Sequence, residues 1–524
     1  MNRTVKSICK KAAGIALASL VAVSAFAQEI ALASLVAVSA FAQEIAGTPT
    51  GKGTPKYVFV FIGDGMSYPQ IQSSAYFIGK DAAGIVNDVK NSSNPSDSPK
   101  GGLLSFMKFP VAGSAQTYDA TSFAPDSAST ATSIFTGKKT HSSSINVDIS
   151  KKIKYRTIAE QLRDQKKWKI GVLSTVNLNH ATPAATYAHQ ASRKSNYPIG
   201  LELVASNFDY FAGGALMEPE DKKGDKESIY SLAQKAGYKV CFTQKEASSL
   251  KNGDKAIVVS ETLADANAMN YENDRAEGEW GLRDYVKKGI EVLDNKNGFF
   301  MMVEGGKIDW ACHANDARST IADTLALSEA VKEAVDFYNK HPKETLILVT
   351  ADHETGGLSI GFAGTDYNLF FNTLKSQKIS YAKFDSDYVS SYKKNKTSFD
   401  DVMKDVTELF GLKVPGSAGK DKNGGLVLTE YEYGRIRDAY NKTMSGTKTS
   451  GQMEYELYGT YEPLTVTITH VLNNKSGIGF TSFSHTGLPV PVFALGAGQD
   501  EFAGYYDNTD IYKKLAALTS VKQD

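Results

Sequence analysis

Short runs of β-branched and aromatic residues alternate along the chain with stretches in which apolar residues recur every three or four positions. The runs predict strands over Tyr57–Ile62, Lys169–Ser174, Ala256–Ser260, Gly298–Val303, Thr345–Thr350 and Val490–Leu495. The three-and-four spacing, which gathers side chains on one face of a helix, predicts helices over Ile158–Lys166, Ile229–Ala236, Leu282–Leu293 and Ala317–Tyr338. Such alternation predicts an α/β fold, a central and mostly parallel sheet with helices on both faces. Asn91–Gly102, rich in Asn, Ser, Pro and Asp, predicts a surface loop. Residues 361–480 break the alternation: they carry Tyr367, Tyr381, Tyr388, Tyr392, Tyr431, Tyr433 and Tyr440, and a Gly/Lys loop at Gly416–Gly425. We read them as an inserted Tyr-rich lobe between core segments 54–360 and 481–524.

The N-terminus changes that picture only by subtraction. Arg3, Lys6, Lys10 and Lys11 precede an apolar run, and Ala25-Phe26-Ala27 has the small-x-small form of a signal cleavage site. Residues 15–29 recur letter for letter at 30–44, giving a second such site at Ala40-Phe41-Ala42. Residues 1–42 are therefore expected to be a signal peptide, with Gln28 and Glu29 interrupting any longer anchor. Export to the periplasm or beyond is the expectation, with no stable membrane anchor. Across the full 524 residues, 58 basic side chains balance 58 acidic ones, and losing residues 1–42 would leave 54 against 57. No clustered basic excess exists to neutralise phosphates, which argues against nucleic-acid-specific binding. Of three cysteines, only Cys241 and Cys312 lie beyond the signal, too few for a disulfide framework; free or buried thiols are expected.

Candidate chemistry gathers where strands end, the edge at which open α/β sheets bind ligands. Asp64 follows the first predicted strand, Glu304 the fourth, and Asp352 with His353 the fifth. Carboxylates converging on one edge repel each other and resist burial unless cations neutralise them. Asp309 and His313, four apart, would share a helical face, and His485 precedes the last predicted strand. Singly, each has a plainer reading as a cap or surface pair; together they suit zinc, with an all-oxygen site open to magnesium. Asp126-Ser127-Ala128 opens a further helical pattern, so Ser127 would face a bound phosphate at a helix start, or Asp126 or Ser127 would simply cap it.

Six motifs in order carry a resemblance: FIGDGM (61–66), PDSASTATSIFTG (125–137), NHATPAATYAHQASR (179–193), VEGGKIDWACH (303–313), TADHETGG (350–357) and SHTGLPVPVFALG (484–496). The chain resembles the alkaline phosphatases from about Lys56 to Ile511, with 361–480, of the crown or large-loop type, pinned by no motif. The resemblance implies two Zn and one Mg, and an active-site nucleophile in Ser127 with Arg193 as bidentate clamp on two phosphate oxygens. Asp309, His313 and His485 would hold the first zinc. Asp64, Asp352 and His353 would hold the second, and Asp64 would bridge to a magnesium shared with Thr182 and Glu304. His180 and Trp310 stand where some members carry Asp and Lys, and His189 would act behind the ligands.

The implied activity is hydrolysis of phosphate monoesters through a phosphoserine, by a homodimer. Sibling phosphodiesterase or sulfatase activity is the nearest rival, against which a clamp for a dianion argues. A non-catalytic exported metal or phosphate binder is the rival of another class, and it would have no use for Ser127.

Overall fold

The computed structural model describes residues 53–79, 101–220, 224–417, 425–446 and 451–522. The expected signal peptide, most of the Asn91–Gly102 loop and most of the Gly416–Gly425 loop lie outside the described residues. All described residues belong to one compact unit. None of their helices is long and apolar enough to cross a membrane.

Fourteen strands are present among them: β1 (Tyr57–Gly63), β2 (Val111–Gln116), β3 (Lys169–Asn177), β4 (Tyr210–Gly214), β5 (Lys239–Cys241), β6 (Ala256–Val259), β7 (Phe299–Gly305), β8 (Thr345–Ala351), β9 (Glu354–Thr355), β10 (Ser359–Ile360), β11 (Ile478–Gly479), β12 (His485–Thr486), β13 (Val490–Gly496) and β14 (Gly504–Asp507). Every predicted strand exists to within three residues at either end. Eight others were not predicted: the two-residue strands β9, β10, β11 and β12, and β2, β4, β5 and β14, of which β2 reads VAGSAQ and β5 only KVC, too small or too short to announce themselves.

Ten strands form one sheet in the order β14-β2-β13-β8-β1-β7-β3-β4-β6-β5. Adjacent pairs are parallel except those made by β13, which is antiparallel to both β2 and β8. Nine strands therefore run one way and β13 alone runs back. All residues of β1, β7 and β8 are buried, so both faces of the sheet centre are covered and their runs can be apolar throughout.

The helices that matter to the site are α1 (Tyr68–Phe77), α2 (Ser127–Thr136), α3 (Ala181–Ala184), α4 (Leu282–Leu293), α5 (Lys307–His313) and α6 (Ala317–Lys340). Helix α4 occupies the predicted range, and α6 packs across β1, β7 and β8. The described residues of 361–480 are mainly helical, including α7 (Phe399–Phe410), α8 (Glu430–Ser445) and α9 (Pro463–Ser476). The antiparallel pair β10 and β11 joins the two ends of this segment, matching Ser359 to Gly479 and Ile360 to Ile478. Its apolar cluster, with Phe384, Val406, Phe410, Ile436 and Ile468, continues into Phe77, Ala317 and Ile321 of the core. Of the seven tyrosines noted in its sequence, only Tyr367 and Tyr431 are exposed; the others are buried or half-buried. The aromatic richness mostly builds the segment's interior.

Candidate active site

Register places the chemistry. Strands β8, β1, β7 and β3 are neighbours, all parallel, with Gly63 level with both Ala351 and Gly305, and Glu304 level with Ser174. Their carboxyl ends therefore meet, delivering Asp64, Glu304, Asp352 and His353 together, as the strand-end pattern predicts. The turn after β3 brings His180 and, in α3, Thr182. Because β13 runs backwards, the residues before it reach the same edge, so His485 arrives from the opposite chain direction. Helix α5 presents Asp309 and His313 from one face, Oδ1 to Nε2 3.3 Å.

The donor atoms form two groups. In one, His313 Nε2 lies 3.0 Å from His485 Nε2, and Asp309 Oδ1 lies 3.3 Å and 3.6 Å from these two atoms. In the other, His353 Nε2 lies 3.1 Å from Ser127 Oγ, 3.3 Å from Asp64 Oδ1 and 3.4 Å from Asp352 Oδ2. Four ligands about 2.0–2.2 Å from a tetrahedral zinc stand about 3.3–3.6 Å apart; the separations here, 3.0–3.6 Å in the first group and 3.1–3.4 Å from His353 Nε2 in the second, are at or slightly inside that spacing. Next to the second group, Thr182 Oγ1 is 3.4 Å from Asp64 Oδ2, and Glu304 accepts a short hydrogen bond from Ser174. Among the described residues, the buried atoms Asp64 Oδ1 and Glu304 Oε1 have no hydrogen-bond partner. An orphaned carboxylate oxygen in a dry site is expensive, and a cation removes that cost.

Hydrogen bonding fixes which imidazole nitrogen is free. Nδ1 of His313 donates to the Phe483 carbonyl and Nδ1 of His485 to the Pro125 carbonyl, each at 2.6 Å. Thr355 gives its one hydroxyl proton to Asp309 Oδ1 at 2.6 Å, so at 3.2 Å it accepts from His353 Nδ1. In their neutral forms all three rings thus point an Nε2 lone pair into the site, the arrangement that ligand histidines need. Sequence reasoning missed Thr355, although it sits two residues beyond His353.

The electrostatics agree. Burial, and then repulsion from neighbouring carboxylates (Asp352 first for Asp64, Asp309 first for Asp352), pushes Asp64 and Asp352 well above the carboxylate range, and burial takes Glu304 to about 7. Burial also works to raise Asp309, but the imidazoles of His313, His485 and His353 overcome it and hold the group well below its ordinary value. Burial would lower His313, yet Asp309 raises it to about 9; burial keeps His353 and His485 low and His180 at about 3.

Ser127 is the first residue of α2. Asp126 caps that helix, its Oδ1 accepting from Ser129 N at 3.2 Å, while its Oδ2 accepts from Arg193 Nη1 at 2.9 Å. The cap reading of the Asp-Ser-Ala triplet falls to Asp126, and Ser127 Oγ faces His353 Nε2 of the second donor group. Arg193 Nη2 lies 3.3 Å from His180 Nε2, so two neighbours aim the guanidinium. His189 pairs with Glu160 at 3.3 Å and belongs to neither donor group.

Ser127, His180, Arg193, Asp309, Trp310, His313 and His485 line one cavity of about 300 Å3 together with Tyr381 and Tyr461. Three larger clefts, two of about 800 and 520 Å3 among residues 393–463 and one of about 440 Å3 among residues 272–329, carry none of the expected groups. Size alone does not locate the site. Tyr381 and Tyr461 come from a segment with no motif, and no local signal marks them. Cys241 and Cys312 are both buried free thiols.

Glu354 ties the two histidine-bearing segments together. Strands β9 and β12 pair antiparallel next to His353 and His485. The buried Glu354 carboxylate accepts from Gln70 of α1 at 2.7 Å, from the amides of Gly357 and Leu358 at 3.2 Å, and from Thr486. Glu354→Ala is expected to strand those donors and to lower stability by on the order of 3 kcal/mol, read by thermal unfolding. A loss below about 1 kcal/mol would show that the tie does not hold the loops.

Residues 55–521 match the sequence profile of a family described as alkaline phosphatase. Alkaline phosphatase 3 of Bacillus subtilis is 31% identical over 471 residues, covering 88% of each chain. Alkaline phosphatase 4 of the same organism is 30% identical over 464 residues, covering 86% of each. Among solved structures, a cold-active alkaline phosphatase from a psychrophilic Shewanella superposes with a TM-score of 0.69 at 27% identity, covering 88% of this chain and 99% of that one.

Proposed function

This chain belongs to the alkaline phosphatase family, which is metal-dependent and acts on phosphate monoesters, and we propose that it is an exported, homodimeric phosphomonoesterase forming a phosphoserine at Ser127 beside two zinc ions and one magnesium. The observation that carries this reading is that Ser127 Oγ stands 3.1 Å from His353 Nε2 in the same small cavity as Arg193. A binding protein has no need of a hydroxyl aimed that way.

In the proposed site Asp309, His313 and His485 hold the first zinc, Asp64, Asp352 and His353 the second, and Asp64, Thr182 and Glu304 the magnesium. When bound, these ions make the serine oxygen and the attacking water more acidic and spread the charge that develops on phosphorus and the departing oxygen. The remaining work falls to the chain. Arg193, with Asp126 and His180 setting its plane, grips two phosphoryl oxygens bidentately and leaves phosphorus in line with Ser127. Ser127 Oγ attacks phosphorus, the bond from phosphorus to the ester oxygen breaks, and the alcohol leaves. The α2 N-terminus beneath Ser127 favours the anion it now carries. Water then displaces Ser127 Oγ and frees phosphate. His180 and Trp310 shape the cavity wall beside the clamp.

The test compares an aryl phosphate monoester with the matching diester and sulfate. Monoester turnover should dominate, and Arg193→Ala should lower monoester kcat/KM by about a hundredfold (about 2.7 kcal/mol) while changing the weaker diester rate far less, since a diester offers one fewer free oxygen. Faster turnover of diester or sulfate would replace this reading with a sibling activity.

A further inference from the structure

Charged and ligating groups make up only part of the cavity. Its other lining residues are Trp310, Tyr381 and Tyr461, all half-buried. Tyr381 and Tyr461 meet edge to face with ring centroids 5.8 Å apart, and Tyr461 lies alongside Phe483, 6.0 Å away and 29° from parallel.

These rings are held from behind. Lys307 is fully buried, and its Nζ, paired with Asp265, sits 4.1 Å from the Tyr271 ring centre and 4.6 Å from that of Trp310. The Tyr271 hydroxyl donates to that of Tyr381 at 3.0 Å, and the Tyr381 amide donates to the buried Asp316 carboxylate at 3.0 Å. One buried ammonium thus braces Trp310 directly and Tyr381 through Tyr271. Little side-chain freedom is left to lose on binding, the condition under which aromatic contacts raise affinity most.

A phosphate monoester has two parts. With phosphorus at Ser127 and its free oxygens on Arg193, and with His180 held against Arg193, the organic part meets the three rings that make up the rest of the described lining. We propose that Trp310, Tyr381 and Tyr461 form a leaving-group subsite that selects monoesters of flat aromatic alcohols over those of small alkyl alcohols. This inference rests on the phosphomonoesterase reading above and adds the substrate class to it.

The experiment uses the full, metal-loaded protein and three competitive inhibitors of monoester turnover: inorganic phosphate, methylphosphonate and phenylphosphonate. Phosphate reports the head alone, and the two phosphonates differ only in the group offered to the rings. The wild type should bind phenylphosphonate about tenfold more tightly than methylphosphonate. Tyr461→Ala and Tyr381→Ala should each shrink that ratio to about twofold with inhibition by phosphate unchanged, and Tyr461→Phe should keep it. A wild-type ratio near one, a ratio that survives both alanine variants, or equal loss in Tyr461→Phe would overturn the subsite. So would parallel weakening of phosphate, which marks a merely structural role. A wild type that neither turns over an aryl monoester nor is inhibited by phosphate would instead overturn the phosphomonoesterase reading itself.

Discussion

Ser127→Ala is expected to lower kcat/KM for an aryl phosphate monoester by at least about a thousandfold while leaving the fold intact. The hydroxyl is the group the proposed chemistry consumes and regenerates, and alanine offers no oxygen to take its place. Structurally it does little: the cap of α2 is Asp126, and the Ser127 side chain touches His353 Nε2 at 3.1 Å. Unfolding free energy should therefore change by less than about 1 kcal/mol. Acid-quenched wild-type enzyme should carry one phosphoryl group on the peptide containing Ser127, and the variant none. A variant that keeps more than about a tenth of the activity, or an adduct on another peptide, would take the nucleophile's role away from Ser127.

Metal removal should have the next largest effect. Chelation is expected to abolish turnover, and zinc with magnesium to restore it. The apo protein should also respond to pH with a definite sign. Asp64, Asp352 and Glu304 have folded pKa values above those of the unfolded chain, Glu304 at about 7, so the fold holds protons that the unfolded chain releases. Stability from that source is lost as pH rises from the ordinary carboxylate range through the folded values. His313, raised to about 9, has the same sign: its contribution is complete below its ordinary value of 6.5 and is lost as pH climbs towards 9. Lowered His180, His353 and His485 act in the other direction, but only as pH falls below about 6.5. Between pH 7 and 9 the apo protein should thus lose about 2–3 kcal/mol from His313 alone. Because ligands must shed protons to bind, the metal-loaded protein should gain on the apo form over the same range. Melting temperatures of both forms at pH 7 and 9 check this; an apo value that stays flat, or activity that survives chelation, would contradict it.

How much of this lay in the one-dimensional chain follows from how local each signal is. Strands that feed a buried sheet must be apolar along their whole length, and helix faces must repeat every three to four residues, so β1, β3, β7, β8 and α4 are readable in place. Residues immediately beyond such strands share an edge whenever the strands are parallel, which is why Asp64, Glu304, Asp352 and His353 could be grouped in advance. Asp309 and His313 were readable because one helical turn relates them. The sequence by itself determined the family, and it named the candidate donors and the candidate nucleophile.

Tertiary structure decided the rest. Only the reversal of β13 brings His485 to the edge occupied by residues that follow strands, and a pairing direction is not written in seven residues. Only the pairing of β9 with β12 lets Glu354 bind the two histidine segments. Thr355 fixes the His353 tautomer through Asp309, a residue 46 positions away. Tyr381 and Tyr461 reach the cavity because 361–480 folds back on the core through β10 and β11, and the buried Lys307 braces one of them from behind. Each of these depends on a contact between distant segments, whose energy comes from burial that no short window of sequence contains.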